Sequence, residues 1–352
     1  MSEKVVGVLF GMEDHFPWAL INRINEKNRQ GVRAEAVRIS HLEDRAETNY
    51  SVIVDRISHE VPFYRTFLKC AAASGATVIN NPFWWSADDK FFDNLVAKSV
   101  DVAVPKTVLL PHKQHPPNTK GNSFRNLEFV DWEKVFEFLG FPIFLKPAYG
   151  GGWKDVYKCD DRAEFFSSYD QTRDLCMMAQ EAIDFTDYFR CYVIGREHVR
   201  VMPYDPRRHF HERYVRDYVP ESEDLLRKVE RDALELCRAL GYDMNTVELA
   251  VRDGVPYAID FMNPAPDADS FSVGEENFEW VVETVATVCI DRALNPPGYE
   301  PTGTWPDSLG SRPKGKPAAR AGSARGGSKK KGAGKKKAGK KKGAGKPESK
   351  GA

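Results

Sequence analysis

Residues 246–264, TVELAVRDGVPYAIDFMNP, constrain the fold of this chain more than any other stretch. Two alternating apolar runs flank Asp253-Gly254, a pair that turns a chain back on itself, so the segment predicts a β-hairpin. Val247, Leu249 and Val251 alternate on the first strand, and Val255, Tyr257, Ile259 and Phe261 on the second. The two sets share one face only if Val251 pairs with Val255 across a three-residue loop, with Gly254 left-handed. That register sets Glu248 and Asp260 together on the opposite face as a diagonal cross-strand pair. Two carboxylates so close repel unless a cation lies between them, and a divalent metal suits that place. The same pattern also fits a solvated hairpin face with two unrelated acids.

A second constraint comes from residues 141–156, FPIFLKPAYGGGWKDV, an apolar strand that ends in Lys146 and runs into Gly150, Gly151 and Gly152. A lysine closing a buried strand calls for an anionic partner. Three consecutive glycines let backbone N–H groups approach such an anion closely, as phosphate-binding loops require. The order excludes a P-loop, because the lysine precedes the glycines and no Gly-Lys-Ser/Thr follows, and the Gly-x-Gly-x-x-Gly dinucleotide fingerprint does not match. A flexible turn after a strand remains the other reading.

Overall neutrality conceals a strong asymmetry. Residues 311–352 hold 16 Lys/Arg and one Glu, a net of +15, which leaves 35 basic against 50 acidic residues, −15, in residues 1–310. From Pro313 onward the composition is almost entirely Lys, Gly, Ala, Ser and Arg, which offers no apolar side chains to offset ordering entropy and predicts a disordered tail. Such a tail is expected to bind nucleic acid or another polyanion without sequence preference. Six scattered cysteines (70, 159, 176, 191, 237, 289) form no CxxC pair and predict reduced, cytosolic thiols, mostly in the core. No signal peptide is evident and no apolar run approaches the ~18–20 residues of a membrane span, so the expectation is a cytoplasmic protein with no membrane partner.

The body predicts strands at Val5–Phe10, Val32–Ile39, Tyr50–Val54 and Thr77–Ile79, with helices at Trp18–Asn28 and Pro62–Ala73, a parallel α/β domain. Ser58-His59-Glu60 falls where a βα loop leaves that sheet, a place for substrate contacts; His59 reads as either a ligand-facing or a helix-start residue. Beyond it come Thr107–Leu110, a helix at Trp132–Leu139, a helix over 162–174, Met177–Gln180, an antiparallel pair Arg190–Ile194 and His198–Met202, a helix Glu221–Leu240 capped by Gly241, and a last helix Glu276–Arg292. Trp84-Trp85 and Phe91-Phe92 read as core.

In this order and spacing the chain resembles the ATP-grasp superfamily, in particular glutathione-synthetase-like and RimK-like carboxylate-amine ligases, over roughly residues 80–270. Asp89-Lys90 and Val104-Pro105-Lys106-Thr107 are similar to the opening segment of that family, in which the lysine, here Lys90, reaches an ATP phosphate. Lys146 matches the second nucleotide lysine, and Gly150 to Val156, with Lys154, the glycine-rich lid. MAQEAID at 178–184 resembles the hinge that contacts adenine, at Gln180, Glu181 and Ile183, and Asp187 falls where the family has a ribose-binding acid. Glu248, Asp260 and Asn263 fall on the magnesium ligands. The final motif departs from the family's Glu-x-Asn: acid and amide stand three apart, so either a bulge restores the geometry or Asp260 is a shorter ligand one position early. The loop PYDPRRHFHERYVRDY at 203–218 also lacks the family's Gly/Asn-rich pattern. Its Arg207, Arg208, His209, His211 and Arg213 either hold the γ-phosphate and acceptor, with Arg207 and Arg213 as catalytic candidates, or form a solvated rim.

The resemblance implies an α/β chain of the α+β ATP-grasp kind: a parallel α/β domain at 1–85, a lid-bearing subdomain at 86–180, a metal-bearing subdomain at 181–300, the last two being β-rich lobes that clasp ATP, and the tail at 301–352. It implies ATP and Mg2+ (or Mn2+) as cofactors and a small-molecule or peptide carboxylate as substrate, activated as an acyl phosphate and joined to an amine. A kinase without ligation, or a nucleotide sensor tethered to nucleic acid by the tail, remain the alternatives.

Overall fold

A computed structural model of the chain describes residues 3–43, 48–83, 89–209, 212–219 and 222–297. Trp84-Trp85, His211 and the whole basic tail lie outside the described residues.

The first sheet is parallel and follows from short β-branched runs with no hairpin turn between them. Its strands are β1 (Lys4–Leu9), β2 (Val32–Ala36), β3 (Tyr50–Asp55) and β4 (Thr77–Ile79), in the order β2-β1-β3-β4. Helix α1 (His15–Lys27) covers one face through Phe16, Leu20, Ile21 and Ile24. Helix α2 (Pro62–Ala73) packs Phe67, Leu68, Ala71 and Ala72 against the other.

A second sheet, wholly antiparallel, has the order β5-β8-β6-β7, from β5 (Thr107–Leu110), β6 (Ile143–Pro147), β7 (Tyr157–Cys159) and β8 (Met177–Glu181). Helices α3 (Lys90–Ser99) and α4 (Trp132–Leu139) precede β5 and β6, and α5 (Arg162–Gln171) follows β7. Ile143, Leu145, Met177 and Ala179 bury one face under Phe136, Leu139, Phe165 and Tyr169 of α4 and α5. Because side chains alternate, Phe144, Lys146, Met178 and Gln180 point to the other face.

The third sheet runs β10-β9-β11-β12, from β9 (Asp187–Ile194), β10 (His198–Pro203), β11 (Met244–Arg252) and β12 (Val255–Asp260). Phe189, Cys191, Val193, Val247, Leu249 and Val251 bury one face against α6 (Glu223–Leu240). The opposite face of β9 divides along its length. Tyr192 and Ile194 pack under α8 (Glu275–Leu294), which follows the short α7 (Ser270–Val273), whereas Tyr188 packs with Ile183, Tyr204 and Ala250. Helix α8 also ties this sheet to the first, with Arg23 of α1 bound to Glu279 and Glu283.

The hairpin corrects the expected register. Arg252 pairs with Val255 across a two-residue turn, with Asp253 (φ 54°) and Gly254 (φ 69°) both left-handed, so Val251 meets Pro256 rather than Val255. Two left-handed central residues give the two-residue turn whose twist matches that of the flanking strands. Pro256 and Ala258 are therefore buried with Leu249 and Val251, and Val255 and Tyr257 lie on the other face. A register shift between Glu248 and Leu249 inserts Ile259 as an extra residue and brings Asp260 directly opposite Glu248. The two acids share a face because of this bulge, not because of the alternation.

Candidate functional site

The free faces of the second and third sheets meet at a cleft of about 250 Å³. Lys146, Phe144 and Gln180 line it from one sheet, Tyr188, Glu248, Ile259 and Asp260 from the other, and Gly150, Gly151, Gly152 and Lys154 cover it. The first residue of α3, Lys90, enters from a helix start that Asp89 caps through the Phe91 and Phe92 N–H groups. A neighbouring cavity shares Lys90, the three glycines, Glu248 and Asp260, and adds Thr246, Asn263, His59, Glu60 and Arg65. His59 and Glu60, in the loop that follows β3, line this second cavity.

Charge is balanced pairwise. Lys90 Nζ stands 3.4 Å from Asp260 Oδ2. Lys146 is buried, and its Nζ donates to the Ile259 carbonyl at 3.1 Å. Burial pulls its pKa down to about 8, and the nearby Lys90 ammonium adds to that shift while Asp260 and Glu248 oppose it. Glu248 accepts from Tyr188 Oη at 2.6 Å and lies 3.8 Å from Arg190 Nε. Burial holds its carboxyl above the ordinary range; Arg190 opposes the shift and Asp260 reinforces it.

The lid backbone is left-handed at Gly150 (φ 87°) and Gly152 (φ 75°), and also at Trp153 (φ 62°) and Asp155 (φ 57°). No atom lies within 4 Å of where a Cβ would stand on any of the three glycines, so the loop leaves open space beside the two lysines. Two features fit a nucleotide triphosphate: ammonium groups gathered under an N–H-rich loop, and a buried amide, Gln180, in the same cleft. Among the described residues no cluster of three or more His, Cys, Asp or Glu side chains is formed. The carboxylates of Glu248 and Asp260 and the amide of Asn263 are oxygen donors of the kind Mg2+ takes, and would be the residues to hold it. Asn263 Nδ2 donates to Thr246 Oγ1 at 3.2 Å, so its Oδ1 is the atom that would face a metal.

Asp187, Glu181, Ile183, Arg207 and Arg213 are not among the residues that line the cleft. Asp187 opens β9 on the face turned toward Phe189 and α6, and its carboxylate accepts from Tyr218 at 2.5 Å and Thr186 at 2.8 Å. It does not line the cleft; Tyr188, one residue later, does. Glu181 pairs with Arg252 at 3.4 Å, and Ile183 is buried with Tyr188, Tyr204 and Ala250. Arg207 is half to two-thirds exposed, bound to Asp205 and stacked over the Phe185 ring at 4.4 Å. Arg213 reaches Tyr204 Oη at 3.4 Å and stands 6.0 Å from the Trp153 ring of the lid. Neither arginine lines the cleft. The acid–amide spacing is settled by Asn245, whose Oδ1 accepts from Asn263 N–H at 2.7 Å and whose Nδ2 donates to the Phe261 carbonyl at 2.8 Å. The bulge precedes Asp260; it does not lie between Asp260 and Asn263.

Arg190 was missed by the motif reading. It sits beside Glu248, donates to Thr246 Oγ1 at 3.4 Å and lies over the Tyr204 ring, and its Nε makes no hydrogen bond among the described residues. The signal was in the sequence: a lone arginine within FRCYVI, an otherwise apolar strand.

No protein-family model matches the chain. In sequence it is similar to the D-alanine–D-alanine ligase of Clostridium perfringens, 28% identical over 146 residues, 38% of this chain and 48% of that protein. The same enzyme of Ralstonia nicotianae is 26% identical over 192 residues, 46% of this chain and 56% of that protein. The chain thus spans about half the length of the curated relatives it matches. In structure it is similar to the Bacillus anthracis D-alanine–D-alanine ligase complexed with ATP, with TM-score 0.59 and 16% identity over 83% of this chain and 98% of that one. The RimK-domain ATP-grasp protein of Sphaerobacter thermophilus gives 0.58 and 17% over 80% and 98%, and the VanG D-Ala:D-Ser ligase of Enterococcus faecalis 0.59 and 13% over 83% and 100%. The chain therefore shares the fold of these proteins, the RimK-domain ATP-grasp protein among them.

Proposed function

We propose that the chain is an ATP- and Mg2+-dependent ligase that joins a carboxylate to an amine. The observation that carries this reading is the convergence of Lys90, Lys146, Glu248, Asp260 and Asn263 on two adjoining cavities that share Lys90, the three glycines and both acids. The ligase names of the relatives support it. Lys90, Lys146 and the lid N–H groups hold the triphosphate; Glu248, Asp260 and Asn263 hold the metal, which when bound supplies charge neutralisation of phosphate oxygens. A substrate carboxylate oxygen attacks the γ-phosphorus, the bond to ADP breaks, and an acyl phosphate forms. An amine nitrogen then attacks the acyl carbon, the carbon–oxygen bond to phosphate breaks, and the nitrogen loses a proton. No protein nucleophile takes part, and positioning with electrostatic stabilisation provides the catalysis. His59, Glu60 and Arg65 beside the metal acids supply both signs of charge, which suits an amino acid or short peptide.

The test is a screen of amino acids and short peptides for ATP-dependent mass gain. ADP release that needs both a carboxylate and an amine supports the ligase. ADP release without an amine replaces it with a kinase, and nucleotide binding without turnover replaces it with a sensor. The +15 charge of residues 311–352 further supports binding of a polyanion, nucleic acid included, through that segment.

A further inference from the structure

The cleft carries a hydrogen-bond relay. Gln180 on β8 and Thr107 on β5 are directly opposed cross-strand neighbours. Gln180 is 3% exposed and lines the cleft. Its Nε2 donates to Thr107 Oγ1 at 3.0 Å, and Thr107 Oγ1 donates to the Pro105 carbonyl at 3.0 Å. A hydroxyl has one hydrogen, and a carbonyl oxygen only accepts. With its hydrogen committed to Pro105, Thr107 offers Gln180 only a lone pair, so the amide turns its NH2 toward Thr107. The reverse orientation would set two acceptors, Pro105 O and Gln180 Oε1, against a single hydrogen and leave one of them facing the hydroxyl oxygen unpaired. The relay thus fixes an orientation that the shape of an amide alone leaves open. Gln180 Oε1 makes no hydrogen bond to the described residues.

Resting on the ATP-dependent reading, we propose that Thr107 sets the nucleobase preference of the cleft by holding the Gln180 amide with its oxygen toward the ligand. An acceptor there pairs with the 6-amino group of adenine, a donor. It opposes the 6-oxo group of guanine or hypoxanthine, which only accepts. Phe144 and Ile259, also in the cleft wall, give apolar contact that any purine would share. Thr107 acts through Gln180 and does not touch the base; it is a positioning residue.

The test is titration of the full chain with ATP, GTP and ITP, read as the ratio of dissociation constants. ATP is expected to bind about tenfold or more tightly than ITP, the effect of facing one buried acceptor with another. Thr107→Val keeps the side-chain shape and removes the hydroxyl, so the amide is free to turn, and the ratio is expected to fall by about tenfold. Thr107→Ser is expected to restore it. In a Gln180→Leu background the Thr107 substitution should change nothing further. Phosphate contacts are common to all three nucleotides, so a merely structural defect weakens them together and leaves the ratio in place. An unchanged ratio in Thr107→Val, or equal wild-type affinity for ATP and ITP, overturns the relay alone. If Thr107→Val does not fold, an unchanged ratio in Gln180→Leu overturns it. A wild-type chain that binds none of the three overturns the ATP reading and the relay together.

Discussion

Lys90 Nζ lies 3.4 Å from Asp260 Oδ2, so the metal-ligand candidate on β12 is paired with the lysine expected to meet a phosphate. Arg190 stands to Glu248 in the same way. Each acid therefore has a protein cation beside it, and a lone metal ion must compete with it. Nucleotide removes that competition by giving Lys90 another partner. Lys90→Ala is expected to weaken ATP binding by about tenfold or more while tightening binding of Mn2+ alone. Calorimetry with each ligand separately checks both directions, and weaker Mn2+ binding in the variant would dissociate Lys90 from Asp260.

Glu248→Gln and Asp260→Asn each keep the side-chain shape and remove one of two facing negative charges. Turnover is expected to fall by about 10²-fold or more in each, while the melting temperature stays within a few degrees. Full activity in Glu248→Gln would rule out metal ligation by the pair; full activity in Asp260→Asn would move the ligand to a neighbouring position.

Lys146 gives the site a pH dependence. Its folded-state pKa of about 8 lies below the value near 10.4 of an unfolded chain. The cost of burying its charge is fully present below pH 8 and is relieved as the pH rises from there toward the unfolded value. Stability of the nucleotide-free chain therefore gains over that window, whereas ATP affinity falls in it, by up to about tenfold per pH unit, because the neutral amine no longer attracts phosphate. Proton uptake on ATP binding near pH 8.5, read from calorimetry in buffers of different ionisation enthalpy, is the expected signature. Lys146→Met should abolish that uptake and most of the ATP affinity in a folded protein.

Asp187 is expected to behave as a structural residue. Its carboxylate anchors Tyr218 and Thr186 on the α6 side of β9. Asp187→Ala should lower unfolding stability by about 1–3 kcal/mol and leave the ATP dissociation constant within about twofold. A large loss of ATP affinity with unchanged stability would return the residue to the ribose.

Deletion of residues 311–352 is expected to abolish binding of duplex DNA at low salt and leave ATP turnover on small substrates nearly unchanged. The segment carries the +15 charge and lacks aromatic side chains, so the binding it loses should fall steeply with salt and ignore sequence. DNA binding that survives the deletion would assign the contact to the body, and lost catalysis would bring the segment into the active site.

Sequence alone determined that β6 would be an apolar strand ending in a lysine and a glycine loop, that β11 and β12 would form a hairpin, and that Glu248 and Asp260 would be its notable acids. Those features are local: alternation, turn residues and a charge out of place are written within ten or so neighbouring positions. Facing was decided by the tertiary structure. The two-residue turn shifted the register by one, and only the bulge at Ile259 brought Asp260 opposite Glu248. Pairing of β9 with β11 turned Tyr188 and Arg190 toward Glu248 and, by the same alternation, turned Asp187 away. A strand's periodicity says that two sets of side chains part company; which set meets the cleft depends on partners far away in the chain, because a slip of one residue exchanges the faces. The Thr107–Gln180 relay and the Lys90–Asp260 pair join positions 73 and 170 residues apart, and no local pattern encodes such distances.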